Sequence, residues 1–252
     1  MQEVRAGGGK TGRSGEKARM TNAGIGERLP GVTQAPEQLG GVVLAGGRSL
    51  RMGRDKAWLQ VEGGPLLLRQ IGLLTGLGIG HVAIAAGPED RDPLPATPAT
   101  IPLLRDLRPG LGPLAGVERG LRWARGLRPD PDDGWTLVLA VDLPEMSADW
   151  LRRLIAGIRP GSGCVPRNGG RLEPLAAIYP NRSWTMARAH LDRPPENPKA
   201  SAQEFCRRGL EDGWMTPWDT PPEDHRAMVN WNTPADWTPP GTAGAASSVD
   251  QP

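Results

Sequence analysis

The sequence predicts a three-layer α/β/α protein in which helices cover both faces of a mostly parallel sheet. Two observations predict this fold. Short apolar runs alternate along the chain with stretches in which apolar residues recur every three or four positions, the pattern of strands that alternate with amphipathic helices. The first apolar run, residues 41–45, has no polar side chain, which is typical of a strand buried on both of its faces.

The individual elements follow from where these runs begin and end. Pro65 suits the first turn of a helix because its backbone angle is already helical. Ser147 suits the position before a helix because its hydroxyl can accept a backbone N–H. Helices are predicted at residues 65–77, 114–127 and 148–158. Strands are predicted at residues 41–45, 81–86, 101–104 and 135–141, with further short strands at the edge of the sheet between residues 161 and 180.

One folded domain is predicted between two disordered ends. Glycine and proline, with 35 and 27 residues, make up close to a quarter of the 252-residue chain, which indicates long loops and tails. We expect a disordered N-terminal extension at residues 1–37, a folded domain at residues 38–238 and a disordered C-terminal tail at residues 239–252, because both ends lack apolar periodicity.

Composition excludes several classes of protein. The net charge of +2 argues against a protein that binds nucleic acid or a membrane surface as a whole. No apolar run approaches the length of a membrane-spanning helix. Cys164 and Cys206 lie far apart and outside any zinc-binding pattern, so we expect reduced thiols in the core of a cytoplasmic protein.

The loop after the first predicted strand has the composition of a phosphate-binding loop. It reads LAGGRSLRMGRDK over residues 44–56, with glycines at 46, 47 and 53 among the cations Arg48, Arg51, Arg54 and Lys56. Glycines allow backbone N–H groups to approach an anion, and the cations neutralise its charge. The pattern matches neither the Walker A loop nor GxGxxG. The alternative is a flexible surface loop with solvated cations.

Acidic side chains follow two other predicted strands. Asp142 ends the apolar run TLVLAVD, and Asp106 follows the third strand. Because ligands of open α/β sheets lie outside the carboxyl ends of the strands, these groups and the glycine loop are expected at one edge. Asp142 could cap the turn at Leu143-Pro144 or bind Mg²⁺, and the neighbouring phosphate loop favours the metal. Asp106 could cap a turn, and Asn230 and Asn232 could be turn residues before Pro234.

Five motifs in order resemble the molybdenum-cofactor guanylyltransferase family. They are LAGGRSLRMGRDK, GPLAG, VDLP, EPLAAIY and NWNTPAD, and the first matches the family signature LAGGxSxRMGxDK in full. The resemblance covers about residues 40 to 237. It implies a Rossmann-like nucleotidyltransferase domain that transfers GMP from GTP to the terminal phosphate of molybdopterin, or Mo-molybdopterin, with Mg²⁺ as cofactor and pyrophosphate as second product. Molybdoenzymes or their chaperones would be further partners.

The resemblance also implies roles for particular residues. Lys56, Arg51 and Asp142 would be catalytic, with Asp142 as the Mg²⁺ ligand. Gly47, Arg51 and Lys56 would contact phosphates, and Asn230 and Asn232 would lie on the pterin-phosphate side. The nucleotide-binding residues implied are Leu44, Ala45 and Gly46 on the guanine and ribose side, together with Gly47, Lys56, Asp106 and Asp142.

One departure from the family and several alternatives stay open. The family often has a nucleotide-contacting Asn near the end of the second strand, where this chain has Ala85-Ala86-Gly87. Arg171, Lys199 and Arg207 are further candidate anion contacts. A near alternative is transfer of another nucleotide or to another acceptor, as in a cytidylyltransferase or a sugar-phosphate nucleotidyltransferase. A distant one is a non-catalytic protein that binds the finished molybdenum cofactor for insertion.

Overall fold

The computed structural model describes residues 37–46, 55–61, 63–87, 94–105, 108, 110–192 and 201–231. Ten strands are found in these ranges: β1 (Leu39–Leu44), β2 (Gln60–Val61), β3 (Gly64–Pro65), β4 (Val82–Ala85), β5 (Leu103–Leu104), β6 (Trp135–Ala140), β7 (Gly163–Asn168), β8 (Arg171–Leu172), β9 (Ile178–Pro180) and β10 (Met215–Asp219). The α-helices of the same ranges are α1 (Leu66–Gly76), α2 (Pro113–Arg125), α3 (Ala148–Ala156), α4 (Trp184–Leu191) and α5 (Ala202–Glu211).

The central sheet has the order β10-β7-β9-β6-β1-β4-β5, with β8 paired to β7, and β2 and β3 form a separate hairpin. Strand β1 lies inside the sheet and pairs in parallel with both β6 and β4. The β4–β5 and β7–β10 pairs are parallel as well, whereas β9 runs antiparallel to both β6 and β7. The sheet is therefore mixed and mostly parallel, as predicted.

Neighbouring residues of the central strands belong to two different cores. In β1, Val43 packs in a cluster with apolar residues of α1 and α3, whereas Val42 packs with those of α2, α4 and α5. In β6, Leu137 and Leu139 belong to the first cluster and Val138 to the second. Because successive side chains of a strand point to opposite faces, helices cover both faces of this sheet. The three-layer prediction is confirmed.

The second half of the sheet differs from the prediction. Strand β9 lies inside the sheet, between β6 and β7, rather than at its edge. The edge is formed by β10, and neither this strand nor helices α4 and α5 were predicted from the sequence. Pro217 within β10 obscured it, because proline interrupts a strand pattern and is tolerated only at a position such as an edge. Residues 157 and 158 follow the end of α3, so that helix is shorter than predicted.

Helix starts were predicted more reliably than strand positions. The Ser147 hydroxyl accepts the backbone N–H of Trp150 at 3.2 Å, as expected for a capping residue. Helix α1 begins at Leu66, one residue after the predicted start at Pro65, which is the last residue of β3. None of the described helices is long and apolar enough to cross a membrane.

Both cysteines are buried and free. Burial raises the pKa of the Cys164 thiol to about 11 and that of Cys206 to about 12. Both thiols therefore stay protonated at neutral pH, and a protonated thiol is a poor nucleophile. This agrees with the prediction of reduced core thiols.

We expect neither thiol to react with a small aromatic disulfide reagent while the protein is folded, because both are inaccessible and protonated. The measurement is the number of thiols titrated before and after addition of guanidinium chloride. Two should appear on unfolding, and fast reaction of the native protein would contradict the burial.

Candidate active site

The carboxyl ends of β1 and β6 lie side by side. Their register pairs Leu44 with Ala140, and the N–H of Val141 donates to the Leu44 carbonyl at 3.0 Å. Gly46 lies two residues after Leu44, and Asp142 lies two residues after Ala140. Gly46, the first glycine of the loop, and the acidic turn therefore lie at the same edge of the sheet, as predicted.

Lys56 returns to this edge through a short capped turn. The Asp55 side chain accepts the N–H of Ala57 at 3.0 Å and so begins the 3-10 turn Lys56–Trp58. Ala57 and Leu59 are fully buried, which anchors the turn in the core. The N–H of Leu66, at the start of α1, donates to the Leu59 carbonyl at 2.8 Å. The Asp-Lys ending of the loop thus has a structural reason: the aspartate caps the turn that positions the lysine.

Lys56 and Asp142 form an ion pair although they are 86 residues apart in sequence. The distance from Lys56 Nζ to Asp142 Oδ2 is 2.8 Å. Only 16% of the lysine side chain and 20% of the aspartate side chain are exposed, so water screens this pair less than a surface pair. The carboxylate at the end of the apolar strand is compensated by a cation, which the sequence did not specify.

The backbone around Asp142 is held from two sides. Gln70, fully buried on α1, donates from Nε2 to the Leu143 carbonyl at 2.6 Å. The N–H of Trp231 donates to the Asp142 carbonyl at 3.1 Å. Gln70 was not predicted from the sequence. Its signal was a polar residue on the otherwise apolar face Leu66, Leu67, Ile71 and Leu74.

The GPLAG motif forms the start of α2 and approaches the sheet closely. Gly112 is the N-cap with φ of 75°, a conformation that favours glycine, and Pro113 is the first helical residue. A Cβ on Gly116 would lie 3.1 Å from Leu44 Cδ2. Gly116 therefore allows the helix to pack closely on β1. Gly112 and Pro113 are exposed to solvent.

A cavity of about 530 Å³ lies next to Asp142. Its walls come from the end of β6, the first residue of β8, the start of α2, the 3-10 turn Pro174–Ala176, the start of α5 and the segment around residues 228–230. Asn230 is exposed and lines it together with Asp142, and so does Arg171. The volume is in the range of small-molecule sites.

The structure places some predicted site residues and not others. Leu44 and Ala45 are buried at the end of β1, and Gly46 is exposed just beyond it. Arg207 does not line the Asp142 cavity. Its guanidinium pairs instead with Glu204 and Glu211 on the same helix, α5. The predicted residues that lie outside the described part of the chain are Gly47, Arg51, Asp106, Lys199 and Asn232.

The segment Ala85-Ala86-Gly87, where this chain departs from the family, lies at the end of β4 and packs against Gly46. Gly87, with φ of 73°, directly follows Ala86 at the end of this segment. A Cβ built on Gly46 would lie 3.1 Å from the Gly87 nitrogen and 3.4 Å from its Cα. Main chain therefore packs against main chain at this point, and Gly46 itself has no positive φ.

The donor set at this edge is sparse in protein ligands for a metal. Among the described residues, no group of three or more His, Cys, Asp or Glu side chains could hold an ion. The described residues at this edge include the partly exposed carboxylate of Asp142, the ammonium group of Lys56 and the amide of Asn230, with the cavity beside them. These groups suit an anionic ligand and a hard cation that is coordinated by both the protein carboxylate and the ligand.

Comparison of sequences identifies relatives over most of the chain. The sequence profile of the MobA-like NTP transferase domain matches residues 41–208. A curated relative from Opitutus terrae, named "Probable molybdenum cofactor guanylyltransferase", is 38% identical over 200 residues, which are 79% of this chain and 92% of the relative. A relative of the same name from Mycobacterium tuberculosis is 41% identical over 146 residues, 56% of this chain and 67% of the relative.

Solved structures share the fold at low sequence identity. Molybdopterin-guanine dinucleotide biosynthesis protein A from Archaeoglobus fulgidus has a TM-score of 0.53 and 20% identity, over 78% of this chain and 93% of that one. A nucleotidyl transferase from Methanothermobacter has a TM-score of 0.58 and 17% identity, over 80% and 94%. The 2-C-methyl-D-erythritol 4-phosphate cytidylyltransferase from Thermus thermophilus has a TM-score of 0.53 and 17% identity, over 81% and 95%.

Proposed function

This chain belongs to the MobA-like NTP transferase family, and from that premise we propose that it transfers GMP from GTP to molybdopterin and releases pyrophosphate. The observation that carries the proposal is the Lys56–Asp142 ion pair, whose aspartate lines the cavity. The folded domain at residues 38–238 carries the activity. Two free thiols agree with a reducing compartment, so we assign the reaction to the cytoplasm.

The reaction needs positioning and charge neutralisation rather than a nucleophilic side chain. An oxygen of the molybdopterin phosphate attacks the α-phosphorus of GTP, a new P–O bond forms, and the bond from the α-phosphorus to the bridging oxygen breaks to release pyrophosphate. Negative groups must be brought together for this displacement. Lys56 supplies a fixed cation for the phosphates, and its turn is anchored so that the charge is preorganised.

Asp142 has a double role in this proposal. Its Oδ2 accepts from Lys56 and so orients the ammonium group. As a hard oxygen donor at the cavity edge it also fits Mg²⁺, with Asn230 as a neighbouring oxygen donor. One carboxylate is enough, because Mg²⁺ is commonly held by one or two carboxylates together with substrate phosphates. When bound, Mg²⁺ would neutralise phosphate charge; Gln70 and Trp231 keep the acidic turn in place for it.

The two substrates are assigned to the two sides of this pair. Leu44, Ala45 and Gly46 lie at the end of β1, and the resemblance assigns them to guanine and ribose. None of these three residues lines the cavity, which extends from β6 towards β9 and α5. GTP is therefore assigned to the β1 side and the acceptor to the cavity.

The test is pyrophosphate release from purified protein with GTP and Mg²⁺, with and without molybdopterin. We expect release that depends on all three. Replacing GTP by CTP, and molybdopterin by a sugar phosphate, separates the proposed activity from the other transferases of this fold. Tight binding of the finished cofactor without pyrophosphate release would identify a binding protein instead.

Gly46→Ala should lower kcat/KM for GTP more than for CTP. The resemblance assigns Gly46 to the guanine side, where a residue without a Cβ lets the backbone approach a two-ring base closely. The residue has no positive φ that alanine would resist. The added methyl would also lie 3.1 Å from the Gly87 nitrogen, so some loss for both nucleotides is expected from the shift of that backbone. The ratio of the two kcat/KM values isolates base discrimination from this general effect. Equal loss for both, or wild-type use of CTP as well as GTP, would contradict the assignment of the base.

A further inference from the structure

The Asp142 cavity has a lining that suits a ring system. Its walls are mainly apolar, with Leu114, Leu143, Leu175 and Met228 among them. The polar side chains of its lining are Asp142, Arg171, Glu173, Ser201, Gln203 and Asn230. A cavity with apolar walls and few polar groups binds a ring through its faces and selects it through its edge.

Glu173 stands on a rigid segment beside the end of β6. Strands β6 and β9 are antiparallel with Leu137 opposite Ile178. The turn Pro174–Ala176, which precedes β9 in the chain, packs against β6. The N–H of Glu173 donates to the Pro166 carbonyl at 2.8 Å, and its own carbonyl accepts from Ala176 at 3.2 Å. The backbone that carries the carboxylate is thus fixed on both sides.

The segment around Glu173 is braced further by buried side chains. The Tyr179 hydroxyl, fully buried, donates to the Pro174 carbonyl at 2.7 Å. Gln203 of α5 donates from Nε2 to the Leu172 carbonyl at 2.5 Å. A side chain on such a segment is preorganised, so little freedom is lost when it binds a ligand.

The carboxylate of Glu173 has no hydrogen-bond or ion-pair partner within 4 Å among the described residues, although the residue is half-buried. Burial raises the pKa of this carboxyl, and the nearby charge of Arg171 only partly opposes the effect. A half-buried carboxylate without donors is costly, and a ligand that brings two N–H donors would remove the cost.

We propose that Glu173 recognises the acceptor by accepting two hydrogen bonds from the amino group and the adjacent ring N–H of its pterin. The inference rests on the proposed function, which puts molybdopterin in the cavity. A pterin carries an amino group and a ring N–H on neighbouring positions, a pair of parallel donors that matches the two oxygens of a carboxylate. Guanine has a similar donor pair, but the residues assigned to guanine lie outside the cavity.

The test compares two probes that differ at one position of the ring. A simple pterin and the matching lumazine, which has a carbonyl in place of the amino group, are titrated by fluorescence into wild-type protein and Glu173→Gln. Glu37→Gln is the matched control, because Glu37 is exposed and precedes β1 at the opposite edge of the sheet. Thermal melting of the three proteins shows that all are folded.

We expect wild type and the control to bind pterin more tightly than lumazine. Glu173→Gln should bind pterin roughly ten- to a hundredfold more weakly, the loss typical of a hydrogen bond to a charged group. It should also prefer lumazine, because an amide presents one donor and one acceptor to the carbonyl and ring N–H of that probe. In turnover with molybdopterin, KM for the acceptor should rise while KM for GTP stays near the wild-type value.

The outcomes separate this inference from the proposed function. Unchanged pterin preference in Glu173→Gln, a rise in KM for GTP instead of the acceptor, or no pterin binding by wild type would each overturn the inference, whether or not GTP is turned over. A reversal of probe preference without pyrophosphate release would support the pterin site and contradict the transferase activity.

Discussion

Lys56→Ala should lower the turnover number by about a hundred- to a thousandfold, equivalent to about 2.7–4 kcal/mol of transition-state stabilisation. The physical reason is that Lys56 is a preorganised cation, anchored by the Asp55-capped turn and held 2.8 Å from Asp142. The substitution also leaves the Asp142 carboxylate without its cation. We therefore expect the free energy of unfolding to fall by about 1–3 kcal/mol while the fold is kept.

The measurement is pyrophosphate release under saturating GTP and molybdopterin, together with a denaturant titration. Arg152→Ala is the matched control, since it removes a cation from the surface pair with Asp149 on α3, away from the cavity. This variant should keep wild-type turnover, because exposed ion pairs contribute little. A Lys56→Ala protein with an unchanged turnover number would exclude Lys56 from the reaction.

Asp142→Asn should lower Mg²⁺-dependent turnover by about a hundredfold or more, since one preorganised charged group is lost from the site. Asparagine is nearly isosteric and can still accept a hydrogen bond from Lys56, but it lacks the negative charge that a cation requires. The backbone contacts from Gln70 to Leu143 and from Trp231 to Asp142 do not depend on the side chain. We therefore expect the acidic turn to keep its position.

Titration of Mg²⁺ against wild type and Asp142→Asn decides between the two roles of this carboxylate. A metal ligand predicts that more Mg²⁺ is needed for half-maximal rate in the variant. A residue that only orients Lys56 predicts the same metal dependence at a lower rate, and this result would contradict the metal assignment. Because the two side chains are in contact, their effects should not add, and the Lys56→Ala/Asp142→Asn double variant measures the coupling.

Much of the fold was readable from local patterns. The continuous apolar runs at β1 and β6 and the three- and four-residue spacing in α2 each reflect burial that repeats along a short segment. The order of the strands in the sheet could not be predicted from these local patterns. Placing β9 inside the sheet and β10 at its edge depends on pairings between distant segments, and β9 has only three residues. No periodicity can be recognised over so short a length.

The candidate site was likewise predictable from the sequence in part only. Residue types and strand ends alone indicated that Lys56 and Asp142 belong to an anion-binding edge, because glycine, cation and carboxylate chemistry is a property of the residues themselves. Their contact at 2.8 Å, the buried Gln70 that holds the acidic turn, and the exposure of Glu173 to the cavity were decided by tertiary structure. Each of these three features depends on segments that are far apart in sequence. The packing of α1, β6 and the turn at residues 174–176 determines which polar groups contact one another and which remain available to a ligand.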